Sequence, residues 1–201
     1  GQSGHLGTVN AVHQDARISA YVCPSDQPYA NAALEGNCNY PVSAGPNIVW
    51  GIATNRQNGI FRRDLETNMA AIQDGTSNTI MVGEQVVGDS DNASWRRDSD
   101  VARGVAWSAT NQSTEQGPIT QADVDTYGSA CATAGPTNHT STAGLAWIRP
   151  VMFYTVFNTL APPNWKFPTC MACAGCSAGD STGVFPARSR HPGGANHTLG
   201  D

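Results

Sequence analysis

Six cysteines in a chain that is almost free of lysine set the tightest limit on how this sequence can fold. They stand at Cys23, Cys38, Cys131, Cys170, Cys173 and Cys176. An even number of cysteines in a Gly- and Asn-rich background fits an oxidising compartment, where cross-links do part of the work that a large core does elsewhere. The simplest pairing is Cys23 with Cys38, which closes a short loop containing Pro24 and Gly36 and is worth about 3 kcal/mol in chain entropy. The other four permit three pairings, and spacing does not choose among them. A competing reading makes Cys170, Cys173 and Cys176, with two residues between each and the next, a thiolate cradle for a metal or an iron-sulfur cluster.

Charged residues make up only 13% of the chain, against about a quarter in ordinary soluble proteins. The net charge is -5 and Lys166 is the only lysine, so no basic field exists to neutralise a run of phosphates, and nucleic acid is not expected as a partner. No stretch approaches the roughly 20 apolar residues of a membrane span. At 201 residues, one domain covering 1–201 is the expectation.

Local patterning points to an α+β, mainly β fold. Residues 17–23, 48–50, 80–87, 104–107, 145–148 and 151–158 carry short β-prone runs separated by Gly, Asn, Thr and Pro clusters. The segment 64–72 combines a capping Asp64 with Leu65, Met69 and Ile72 at helical spacing, which predicts the one short helix. Asp74-Gly75 ends it, and Asn58-Gly59 marks a turn. Residues 26–47, 108–142 and 159–183 read as loops. The expected whole is an antiparallel sheet with one short helix and long disulfide-pinned loops.

Two blocks carry more information than the composition: Ile72-Gln73-Asp74-Gly75-Thr76-Ser77-Asn78-Thr79-Ile80-Met81-Val82-Gly83-Glu84, and Ser189-Arg190-His191-Pro192-Gly193-Gly194-Ala195-Asn196 running on to Asp201. They resemble the bacterial prepilin-type family that is named for a C-terminal His-x9-Asp-Gly signature. His191 and Asp201 enclose nine residues, and the sequence stops before the glycine. Cys23-Pro24-Ser25-Asp26, Asn39-Tyr40, Asn58-Gly59-Ile60-Phe61 and Ala161-Pro162-Pro163-Asn164 resemble the intermediate blocks of that family, in order. The motif positions are Asp74, Gly75, Ser77, Asn78, Glu84, Arg190, His191, Pro192, Gly193 and Gly194.

The resemblance implies a pseudopilin-like head, secreted or displayed at the cell surface, that packs against copies of itself in a homopolymer. It also implies a leader and a hydrophobic N-terminal helix, absent from this chain, through which alone a membrane would be met. Pseudopilin heads often bind Ca2+ in a loop such as 74–79, and the ligand set here would be Asp74, Thr76, Asn78 and Asp201. The plainer reading is that Asp74 and Asn78 hydrogen-bond their own turn. Glu84, in a buried strand, needs a partner, with Arg62, Arg188 and Arg190 as candidates.

Other features invite chemistry less strongly. His191 opens a rigid Pro-Gly-Gly turn and reads as a structural residue bridging backbone groups, with metal ligation or base catalysis as alternatives; His5, His13, His139 and His197 are read the same way. Gly179-Asp180-Ser181-Thr182-Gly183 fits the nucleophile-elbow pattern without the strand and helix that the elbow needs. No catalytic residue is assigned, and no enzyme is expected. Asn92, Asn111, Asn138 and Asn196 head glycosylation sequons. Five tryptophans could line a carbohydrate groove, which keeps a carbohydrate- or solute-binding module as the alternative function, although packing explains them as well.

Overall fold

The structure, a computed structural model, describes residues 13–26, 36–50, 57–109, 111, 117–176 and 182–201. Among the described residues the architecture is α+β and mostly β, with one α-helix and two four-stranded sheets. In chain order the strands are β1 (Val42–Ser43), β2 (Ile80–Gly83), β3 (Val101–Arg103), β4 (His139–Thr140), β5 (Val156–Phe157), β6 (Thr169–Met171), β7 (Gly183–Val184) and β8 (His197–Leu199); the helix α1 spans Gln121–Ala134. The first sheet has the order β5-β1-β2-β8 and the second β4-β3-β6-β7. Both are mixed, not purely antiparallel as expected: β1 runs parallel to β5 and β3 parallel to β6, while the remaining neighbours are antiparallel.

Alternation along the second sheet explains the layering. Val101, Met171 and Phe185 point into one apolar cluster, which also holds Ala44, Val156 and Tyr154, so it lies between the two sheets. Ala102, Cys170 and Val184 point the other way, into a cluster shared with Val124, Tyr127 and Cys131 of α1 and with Trp165. The strand period of two thus gives the central sheet two buried faces, one against a sheet and one against a helix.

The helix lies where the sequence suggested a loop, and its cause is local. Thr120 and Asp123 form a reciprocal capping box, in which the Thr120 hydroxyl accepts from the Asp123 amide and the Asp123 carboxylate accepts from the Thr120 amide. Val124, Tyr127 and Cys131 then fall on one buried face. Gly128 lets Trp165 approach so closely that an added Cβ would meet the indole at 2.4 Å. The segment 64–72 forms no helix. Asp64 takes a left-handed φ of 59°, only a 3-10 turn forms at Met69–Ala71, and Met69 is 60% exposed, so no core rewards an apolar stripe there.

Several strands also shift. Residues 19–21 form a 3-10 turn and not a strand, the expected strand at 104–107 lies one step earlier as β3, and 48–50 and 145–148 are irregular. Residues 151–158 yield only β5, 80–87 only β2, and the expected loop 159–183 contains β6. The Gly179–Ser181 segment and His5 lie outside the described residues.

Disulfides join Cys131 to Cys170 and Cys173 to Cys176, which removes the thiolate-cradle reading of the last three cysteines. Cys23 and Cys38 are free, contrary to the pairing expected from their spacing. Residues 21–23 lie beside Asn39: the Asn39 amide donates to the Tyr21 carbonyl, and the Cys23 amide donates to the Asn39 side chain. That register turns the Cys23 sulfur toward His191, while Cys38 lines a groove with Tyr21, Tyr40 and Trp147.

The Cys131–Cys170 bridge spans 39 residues and ties α1 to the central sheet. Cys131→Ala with Cys170→Ala should lower unfolding free energy by about 4 kcal/mol in urea titration, and loss of the shorter Cys173–Cys176 loop by about 2 kcal/mol. Gly128→Ala should cost a further 1–3 kcal/mol, roughly, by overpacking against Trp165.

Candidate functional site

The first-sheet strand β2 runs straight into an irregular extended segment, and this is where the resemblance blocks meet. Gly83 donates its amide to the Pro41 carbonyl and Gln85 donates to that of Asn39. Glu84, between them, exchanges backbone hydrogen bonds with Asn196 and Arg188. Its side chain therefore points into a space bounded by the 21–26, 39–41 and 188–197 segments.

Asp26 organises one half of this junction. The turn Cys23-Pro24-Ser25-Asp26, closed by the Asp26 amide on the Cys23 carbonyl at 3.1 Å, aims the carboxylate inward. One oxygen accepts from Asn39 Nδ2 at 2.6 Å and from the Val87 amide at 2.8 Å, and the other from Arg190 Nε at 2.7 Å. Asn39 completes the link, donating also to the Gln85 carbonyl at 2.8 Å.

The other half is a triad of ligand-type side chains. Cys23 and Glu84 are buried and His191 is half-exposed. The sulfur of Cys23 lies 3.6 Å from His191 Nε2, and Glu84 Oε1 lies 3.6 Å from the same nitrogen. The second Glu84 oxygen accepts from the Asn196 amide at 3.1 Å and from Asn196 Nδ2 at 3.0 Å. The Tyr40 phenol lies beside Cys23 and Glu84, and its pKa is pushed up to about 12, first by burial and then by these two neighbours. Burial likewise raises Cys38 to about 11.

The expected arginine partners of Glu84 are placed elsewhere. Arg62 bonds to Thr67 and the Glu66 carbonyl, and Arg190 to Asp26. Buried Arg188 donates to Thr169 Oγ1 and to the carbonyls of Trp165 and Phe167, and desolvation pulls it down to about 10. Arg188 meets Glu84 through its backbone, its amide donating to the Glu84 carbonyl at 2.7 Å, while its guanidinium is taken up by Thr169, Trp165 and Phe167.

The loop 74–79 folds onto the chain end. Ser77 donates to the Asp201 carboxylate at 2.8 Å and Gly200 to the Thr76 carbonyl at 2.9 Å, while Asn78 donates to the Asp74 carbonyl at 2.8 Å. Gly75 there takes a φ of 83°, as the turn requires. Pro192, Gly193 and Gly194 form the open turn after His191. Of the sequon residues, Asn92 accepts from the Ser141 amide, and Asn111, Asn138 and Asn196 already donate through the nitrogen that would carry a glycan. His139 is buried, its Nδ1 3.0 Å from the Gly135 carbonyl, and His197 makes a similar contact to Ala195.

Sequence reasoning singled out Glu84 and His191 but not their neighbours Cys23, Asp26, Asn39 and Tyr40 as a site. The signal was present, since all four are polar residues inside the resemblance blocks.

An α+β, mostly β fold with two mixed sheets and disulfides in its loops is the class that this structure defines. The chain belongs to the family described as "Protein of unknown function (DUF1559)", whose model matches residues 2–201. No curated protein and no solved structure matches the chain.

Asp26 carries three donors from three segments, whereas Arg190 is only one of them and is partly exposed. Asp26→Asn should therefore cost about 2 kcal/mol and Arg190→Ala less than about 1 kcal/mol, measured by chemical denaturation.

Proposed function

We propose that this protein is a structural subunit of an extracellular or cell-surface assembly, a pilin-like head that packs against copies of itself, and that it is not an enzyme. The observation that carries this reading is the direction of the family-type side chains: Asp26, Asn39, Glu84, Arg190 and Asn196 bond to one another and clasp distant segments together. Residues used in this way support a rigid body whose outer surface meets other surfaces. Two disulfides and a low charge suit an oxidising, extracellular setting.

Among the described residues no helix is long and apolar enough to cross a membrane, so any anchoring would use sequence beyond these elements. Self-association has apolar surface to draw on. β8 is an edge strand of the first sheet, and Leu199, 38% exposed, borders a groove of about 540 Å³ with Ile80, Leu160 and Pro162. A second reading, a carbohydrate-binding module, is favoured by the groove of about 620 Å³ beside Tyr21 and Trp147, whose rings lie 6.1 Å apart.

Native material should show filaments or lattices by electron microscopy, and purified protein should sediment as larger species with rising concentration, an effect that Leu199→Glu should weaken. Dispersed monomers at every concentration, together with saturable oligosaccharide binding lost in Trp147→Ala, would replace the first reading with the second.

A further inference from the structure

Four of the six cysteines are cross-linked, and one of the two free thiols, Cys23, faces an imidazole and a carboxylate. A thiol left reduced beside disulfides calls for a reason. We propose that Cys23, Glu84 and His191 form a binding site for a single borderline-soft divalent cation of the Zn2+ type.

Three observations support this assignment. The ligand atoms of the three residues lie within 4.8 Å of one another. Ordinary Zn-S and Zn-N bond lengths at a tetrahedral angle place sulfur and nitrogen about 3.6 Å apart, and nitrogen and carboxylate oxygen about 3.4 Å apart. The separations here are 3.6 Å in both cases, so a metal fits with little movement.

The choice of ring nitrogen excludes the main rival. In a thiol-imidazole-carboxylate catalytic triad the nucleophile and the orienting carboxylate engage opposite nitrogens of the ring. Here both converge on Nε2, which is how ligands face a common centre and not how a proton is relayed.

The surroundings match those of a metal site. Asn196 fixes the non-ligating oxygen of Glu84 through two hydrogen bonds, so this ligand has an oriented outer shell, and the Tyr40 phenol lies beside Cys23. The half-exposed His191 gives the ion an entry path and leaves a fourth position for water. Sulfur and nitrogen donors favour Zn2+ over Ca2+. Binding would release the Cys23 thiol proton to solvent and would tie residue 23 to residue 191.

The test uses the full chain, stripped with a chelator and titrated with Zn2+ alone and then with Co2+. One equivalent of Zn2+ should bind saturably and raise the melting temperature, and Co2+ should show thiolate-to-metal charge-transfer absorption. Zn2+ should also protect Cys23, but not Cys38, from alkylation. His191→Ala, at the exposed side and least able to disturb folding, and the near-isosteric Cys23→Ser should each weaken binding by more than the roughly 10–100-fold that loss of an outer-shell partner such as Asn196 costs. Unchanged Zn2+ affinity in both variants, no charge-transfer band, or a Cys23–Cys38 disulfide in the native protein would overturn the assignment. None of these outcomes depends on whether the protein polymerises.

Discussion

Strands this short cannot satisfy their own surroundings, and the rest of the fold follows from how that deficit is met. Among the described residues no strand exceeds four residues, so much of the buried backbone lies outside any ladder. Buried amide and carbonyl groups without partners are costly, and here side chains supply them. Asn158 donates to the carbonyls of Asn47 and Gly183 and accepts from the Phe185 amide. Gln85 donates to the carbonyls of Cys38 and Tyr154, and Arg188 to those of Trp165 and Phe167. Each of these residues does for an irregular segment what a neighbouring strand does in a longer sheet.

The polar junction around Glu84 is the largest instance. It joins residues 23–26, 39–40, 84–87 and 190–196, four stretches far apart in sequence, at the edge where β2 leaves its sheet. The Cys131–Cys170 bridge performs a comparable task covalently, between α1 and β6. A chain with a modest core and long loops is thereby fixed in two places. Such fixation is what the proposed role as an extracellular subunit would require.

Much of this was legible in the sequence, for identifiable reasons. The α+β, mostly β class followed from short β-prone runs between turn residues, whereas the arginine partners expected for Glu84 lie elsewhere. The helix was misplaced because α1 is built from small and β-branched residues around Gly128, whose value lies in the approach of Trp165, a contact 37 positions away in the chain. Its capping box, Thr120 to Asp123, was the local clue. The 64–72 stripe had helical spacing but no surface to bury against, which periodicity alone does not reveal. Cysteine spacing suggested Cys23 with Cys38, whereas the register set by Asn39 turns Cys23 to His191. The convergence of Cys23, Glu84 and His191 is a property of tertiary structure and had no counterpart in linear spacing.

Hydrogen exchange at individual amides tests the central claim most directly. The amides of Cys23, Val87 and Phe185 donate to side chains of Asn39, Asp26 and Asn158, and the account predicts that they exchange as slowly as the strand amides of β3 and β6. Exchange as fast as that of Ala71, whose amide meets only an exposed Asn68 side chain and the carbonyl of its own turn, would contradict it.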